Sequence, residues 1–286
     1  MRIGQNAVRT QAALAAAIAL LAPGAAAAGP ADAYYERTFV IAADARCDLF
    51  PAPTAAALTA AAAQARGAAL RAGASPAEVA AVATRARSRA RAVACADPEL
   101  ATVRRRVDDA FAGWSRTPRM TFPGSRLDWT ADRYGWDRTG WRLKQATTVG
   151  ASPVAFGFAG KGDAPELAAV ISWHGRPRPY GARLVLRDPN RLSRPWVAGG
   201  GLPPSTARAS FWAAGVEAAD PALSVDGQRA ADIWRFPATA AEALERLDPR
   251  EAFAIEFHFR DGSVATVRLE TGDFAAGRAF LRMGRF

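Results

Sequence analysis

The chain has little of what most catalytic chemistry needs. Its 286 residues include two histidines, His174 and His258, two lysines, Lys144 and Lys161, and two cysteines, Cys47 and Cys95. Without Cys-x-x-Cys or a grouping of histidines, redox-motif and zinc-cage readings lose their ligands. No His-Glu-x-x-His, Gly-x-Ser-x-Gly, phosphate loop or dinucleotide fingerprint occurs, which argues against the common metalloprotease, α/β-hydrolase, nucleotide-hydrolase and dehydrogenase mechanisms. No cofactor and no metal site is therefore expected. Beyond the N-terminus there is no apolar run approaching the ~20 residues of a membrane span. With lysine so scarce, the positive charge is nearly all arginine spread through an alanine-rich chain. It forms no clustered stripe on a recognisable module, which argues against nucleic acid as a partner.

What is present begins with an export pattern. Arg2 and Arg9 precede an apolar run from Ala12 to Ala22, about 11 residues, within the ~7–15 of a secretory h-region. Pro23 and Gly24 end it, and Ala26-x-Ala28 fits a small-residue cleavage site, with Ala31-Asp32-Ala33 as a second. Residues 1–28 thus read as a signal peptide. The expected mature protein is soluble and periplasmic or secreted, with 35 basic against 27 acidic side chains, a net of +8. In that oxidising setting Cys47 and Cys95 are expected to join.

Residues 29–119 read as a helical domain. An alanine-rich helix spans 54–72. After Gly73-Ala74, the run Ser75-Pro76-Ala77-Glu78 carries an N-cap, proline at N1 and glutamate at N3, and so starts a second helix. Val79, Val82, Ala86, Ala90 and Val93 share one narrow stripe of that helix. Asp97-Pro98-Glu99 opens a third, with Leu100, Val103, Val107, Phe111 and Trp114 opposite Arg104, Arg105 and Arg106. The short turn makes the first two helices an antiparallel hairpin, so Cys47 and Cys95 fall at the same end, and a disulfide there staples the hairpin.

Residues 120–286 change to short apolar runs broken by Gly and Pro: 153–158, 167–173, 182–187, 231–236, 251–259 and 263–270. These are expected to form a mainly antiparallel sheet or sandwich, giving an α+β fold. Helices are expected after Thr239-x-x-Glu242 and from Asp273; residues 206–219 read equally as helix or strand. For the strands 251–259 and 263–270, a two-residue Asp261-Gly262 turn would set Phe257 against Thr266. A three-residue loop with Gly262 left-handed instead pairs Phe257 with Ala265 and Ile255 with Val267, keeping apolar residues on one face. The order strand 231–236, helix, hairpin, then Gly272-Asp273-Phe274 into a last helix resembles the C-terminal end of the invasion-associated locus B family of periplasmic proteins. The resemblance covers about 50 residues, lacks that family's β-domain cysteines, carries over no functional residue, and implies a non-enzymatic envelope protein with a β-sandwich.

Two stretches hold residues suited to binding. In the first, Trp173, Arg176, Arg178, Tyr180, Arg191, Arg194 and Trp196 form an arginine-rich, aromatic-interleaved segment, also containing Arg183 and Arg187 and the single acid Asp188. Guanidinium forks beside aromatic faces suit an anionic envelope polymer or an acidic protein partner. Alternatively the segment is a plain hairpin with core aromatics and surface arginines; both readings expect a hairpin. In the second, Trp114–Trp141, the aromatics Trp129, Tyr134, Trp136 and Trp141 alternate with Asp128, Asp132 and Asp137, which suits either sugar stacking or interdomain packing, the latter favoured because buried indoles contribute large area. His258 beside Glu256 reads as a solvated sheet face or, less simply, as an acid/base pair joined by His174. The reading is an envelope-associated binding protein without catalytic activity; the alternative is a hydrolase acting on an envelope substrate.

Overall fold

The computed structural model describes residues 29–174, 177–197, 201–225 and 230–286. The expected signal segment 1–28 and Arg176 lie outside the described residues. Four helices come first: α1 (Pro30–Cys47), α2 (Ala52–Arg71), α3 (Pro76–Ala92) and α4 (Pro98–Ser115). Each carries proline in its first turn, where a preset φ helps and a missing N–H costs nothing. The reciprocal cap of α3 forms as expected: the Glu78 N–H donates to Ser75 Oγ at 3.2 Å, and the Ser75 N–H to the Glu78 carboxylate at 2.7 Å.

Helix α1 is an addition to the sequence reading. Its buried residues are Thr38, Val40 and Ala43, too few to mark an apolar stripe. It packs against both α2 and α3, which themselves meet at Leu70 and Val79 beside their turn. Cys47 ends α1 and Cys95 follows α3, and the two form the disulfide, with 5.5 Å between their Cα atoms. At the same end the Arg46 guanidinium donates to the carbonyls of Arg91, at 3.2 Å, and Val93. No helix among the described residues is long and apolar enough to cross a membrane.

The remainder is two antiparallel sheets. Strands β1 (Arg119–Phe122), β2 (Trp129–Asp132), β3 (Gly140–Val149), β4 (Ser152–Gly160) and β5 (Glu166–Ile171) belong to the larger sheet. β6 (Gly181–Arg187) and β7 (Arg208–Trp212) belong to the smaller one, and β8 (Val216–Ala218) and β9 (Asp232–Arg235) return to the larger. After α5 (Ala238–Glu245), strands β10 (Ala252–His258) and β11 (Val264–Glu270) complete the smaller sheet, and α6 (Phe274–Leu281) follows. The orders are β1-β2-β3-β4-β5-β9-β8 and β11-β10-β6-β7. One apolar core joins them, with Leu143, Phe156 and Trp234 from the larger sheet against Leu184, Ile255 and Phe257 from the smaller, closed by Phe274 and Phe280 of α6.

The three-residue hairpin loop is present. Gly262 has φ +81°, and Phe257 faces Ala265 while Ile255 faces Val267. Other expectations change. The undecided segment 206–219 is two strands in different sheets, because the chain crosses between them at Ala213 and Ala214. Helix α5 begins after Pro237 without a side-chain cap, so Thr239 and Glu242 make no capping box. Strands β1 to β3 carry polar residues and show no apolar run. In β3, Arg142 and Gln145 are nonetheless buried, the terminal nitrogens of Arg142 and the amide nitrogen of Gln145 donating to backbone carbonyls.

The helices dock on the β layers through α2. Ala60 belongs to the sheet core, and Trp114 and Met283 pack against both the helical and the sheet clusters. A Cβ on Gly67 would fall 1.9 Å from Asp273 Oδ1, so glycine is what admits that carboxylate beside α2, where it pairs with Arg71. Trp129, Trp136 and Trp141 do not form this interface. Trp129 is core, stacked edge-on to Phe156 and Phe274, so the interdomain reading of 114–141 holds for Trp114 alone. Burial pushes the Asp273 carboxyl above the ordinary carboxylate range, opposed by the Arg71 hydrogen bond. A raised folded pKa contributes stability that is present below the unfolded value of about 4 and lost as pH rises through the folded one. Urea unfolding of Asp273→Asn against the parent is therefore expected to show a difference that shifts in favour of asparagine from pH 4 to pH 7. A shift in favour of aspartate would mean that pairing with Arg71 outweighs desolvation.

Candidate functional site

The expected hairpin at 173–196 does not exist, because β5 lies in one sheet and β6 in the other. The segment is a crossover, and its residues scatter accordingly. Trp173 turns inward, its ring edge-on to Phe257 and Phe259 at 5.2 and 5.3 Å. Arg178 is exposed and reaches the buried Asp232 at 3.3 Å. Arg187 is buried and bidentate to Glu251, at 2.5 and 2.9 Å. Arg191 pairs with Asp188 at 3.3 Å, and Arg194 is exposed with no ion pair among the described residues. Trp196 is half-buried, and its N–H donates to Glu251 at 2.9 Å. Most of the arginine charge is thus spent on nearby carboxylates rather than presented as one patch.

A different constellation faces outward from the smaller sheet. The register aligns Trp212, Arg183, Glu256 and Thr266 across its four strands, with Gly181, His258 and Val264 in the row beside them. Period-two alternation puts these side chains on one face, opposite the core residues Leu184, Ile255 and Phe257. Tyr180 enters at the rim, its N–H donating to the His258 carbonyl at 2.9 Å. Tyr180 and Trp212 are 59% and 51% exposed, far more than aromatics that serve only as core. Their rings lie 6.4 and 5.1 Å from His258. Arg183 donates to Glu256 at 2.7 Å and sits 5.5 Å from the Trp212 ring centroid. A Cβ at Gly181 would lie 3.3 Å from the Trp212 ring, so a small residue there lets the indole lie against the sheet.

The candidate acid/base set is placed differently from the hydrolase reading. Glu256 is engaged by Arg183, and its Oε2 is 3.7 Å from His258 Nε2. His174 stands on the loop leaving the larger sheet, its N–H donating to Ser152 Oγ at 3.1 Å. The three largest clefts described, of about 610, 500 and 440 Å³, are lined by neither histidine. Among the described residues no group of three or more His, Cys, Asp or Glu is placed to hold a metal ion. Sequence reasoning found Tyr180 but missed Trp212, because it lies in the segment whose secondary structure was undecided. The signal was there in Arg208–Trp212, where Ala209 and Phe211 alternate with Ser210 and Trp212.

These elements define an α+β protein with a disulfide-stapled helical layer docked on a two-sheet β unit. No family model, curated protein or solved structure matches the chain.

Proposed function

We propose that this chain is an exported, envelope-associated binding protein that recognises a protein partner through the outer face of the smaller sheet, without catalysing a reaction. The single observation that carries the reading is the pair of half-exposed aromatics, Tyr180 and Trp212, flanking His258 beside the Arg183–Glu256 pair. Tryptophan, tyrosine and arginine are the side chains that dominate binding energy at protein interfaces. Placed on the outer face of a sheet and exposed, they can be covered by a partner surface, whereas an enclosed reaction site would need walls. A protein is favoured over an anionic polymer because Arg178, Arg183, Arg187 and Arg191 already have carboxylate partners. Export rests on the N-terminal sequence pattern, with which the Cys47–Cys95 bond agrees, since such bonds persist in oxidising compartments. The C-terminal order β9, α5, β10, β11, α6, on which the invasion-associated locus B resemblance rests, supports the same non-enzymatic reading.

Crosslinking pull-down from the native envelope tests the proposal. Tyr180→Ala with Trp212→Ala is expected to reduce recovery of a discrete protein partner about ten-fold or more, the loss that two anchor residues of this kind produce. Arg178→Ser, Arg191→Ser and Arg194→Ser together should leave recovery nearly unchanged at moderate salt. The reverse pattern, loss with the arginine variant and retention with the aromatic one, would replace the protein partner by an anionic polymer.

A further inference from the structure

A second surface is built with more care than loop connectivity requires. Between β2 and β3 the segment Arg133–Thr139 forms one wall of the cleft of about 610 Å³, and the wall is held by a single buried guanidinium. Arg142, 2% exposed, donates to the carbonyls of Tyr134 at 2.8 Å, Gly135 at 3.0 Å, Arg138 at 2.6 Å and Gly160 at 3.3 Å. It also lies 5.3 Å from the Trp136 ring centroid. Removing a cation from water without a carboxylate in contact is costly, and here the return is a loop fixed in one shape. Burial lowers the Arg142 pKa, with Asp132 and Asp137 opposing. Gly135 completes the turn at φ +68°, and the Gly162 N–H holds the Trp136 carbonyl at 2.7 Å.

The fixed loop and the start of β3, whose Trp141 packs with one part of its surface against the Leu223 cluster, bring aromatic and polar groups together. Tyr134 is 52% exposed; Trp141, half-buried, has its indole N–H committed to the Leu223 carbonyl at 3.0 Å, which sets its ring plane. The charges around them nearly cancel. Arg119 is paired with Asp132 at 2.8 Å, and the Asp132 carboxylate also accepts the Tyr134 N–H at 2.8 Å. With Arg142 spent on carbonyls, the exposed groups left are Arg138 and Lys161 against Asp137 and Asp220. An anion would want surplus cations, and an apolar molecule would want a greasy lining. Preset aromatic faces beside balanced donors and acceptors, in a shallow open cleft, suit a neutral polyhydroxylated chain, whose C–H faces stack while its hydroxyls hydrogen-bond.

We infer that the Tyr134–Trp141 cleft is a saccharide-binding site for a neutral oligosaccharide chain, separate from the sheet face through which a protein partner is proposed to bind. Calorimetric titration of the folded protein with maltotetraose and with the tetramer of N-acetylglucosamine tests it and distinguishes plain hexose from N-acetylated sugar. Saturable binding of one of them is expected. Tyr134→Ala should weaken that binding about ten-fold, as loss of a stacking platform does, and Asp137→Ala should weaken it measurably. Both residues are exposed, so neither change threatens the fold. Trp212→Ala should leave it unaltered. Absence of saturation with both tetramers into the millimolar range, or binding indifferent to Tyr134→Ala and Asp137→Ala, would overturn the inference.

Discussion

Replacing Arg187 by methionine is expected to destabilise the protein by about 3–5 kcal/mol, the range measured when one partner of a buried ion pair is removed. Both side chains are out of solvent, Arg187 at 4% and Glu251 at 1%. The pair is also a hub. Arg187 donates to the Leu192 carbonyl at 2.5 Å, and the Glu251 carboxylate accepts the N–H groups of Trp196 and Asp248, both at 2.9 Å. The variant keeps most of the aliphatic stem but strands a carboxylate in the interior, and it releases the 188–197 segment from the sheet. Adding Glu251→Gln should recover part of the loss, because no charge is left unpaired and the amide oxygen still accepts one of those two N–H groups, which sit on different carboxylate oxygens. Urea unfolding at pH 7 measures both. A loss below about 1 kcal/mol for the single variant, the value typical of exposed pairs, would mean that water reaches Glu251.

Removing the disulfide by Cys47→Ser with Cys95→Ser is expected to cost up to about 4 kcal/mol, since in the chain-entropy model a cross-link between residues 48 apart restricts the unfolded chain by that amount. The bond matters here because the helical layer's own apolar cluster is much smaller than the core of the sheets. That cluster includes the small residues Ala43, Ala57, Ala61 and Ala90, each burying little surface. Leu49, Phe50, Leu58, Leu100 and Phe111 are the larger contributions, with Val40, Val93 and Val107. Urea midpoints of the oxidised parent and the double variant should therefore separate clearly. A separation worth less than about 1 kcal/mol would show that the unfolded chain is already compact around these ends.

The candidate surfaces were only partly legible in sequence. Tyr180 and the Arg183–Glu256–His258 neighbourhood were visible as residues, yet nothing local says that Arg183 lies between Trp212 and Glu256. Those three are brought together by strand pairing across 73 residues of chain. The arginine-rich segment 173–196 misled for a related reason. Its carboxylate partners Asp232, Glu251 and Glu256 all lie far along the chain, so the local excess of positive charge overstated what reaches solvent. Likewise nothing in the local sequence marks Arg142 as buried, and only the fold gives it four carbonyls to hold.

Local chemistry was enough to determine the division into a helical first part and a strand-rich second part. It also determined the caps at Ser75 and Asp97 and the register of the β10–β11 hairpin, because capping oxygens, proline, a left-handed glycine and apolar alternation act within a few residues. Tertiary structure alone decided that α1 packs against both members of the expected helix pair, that the chain crosses between sheets after β5 and after β7, and which aromatics stay in solvent. Those outcomes depend on which apolar faces cover one another and on ion pairs closed between distant segments, and neither is written in any short stretch of the chain.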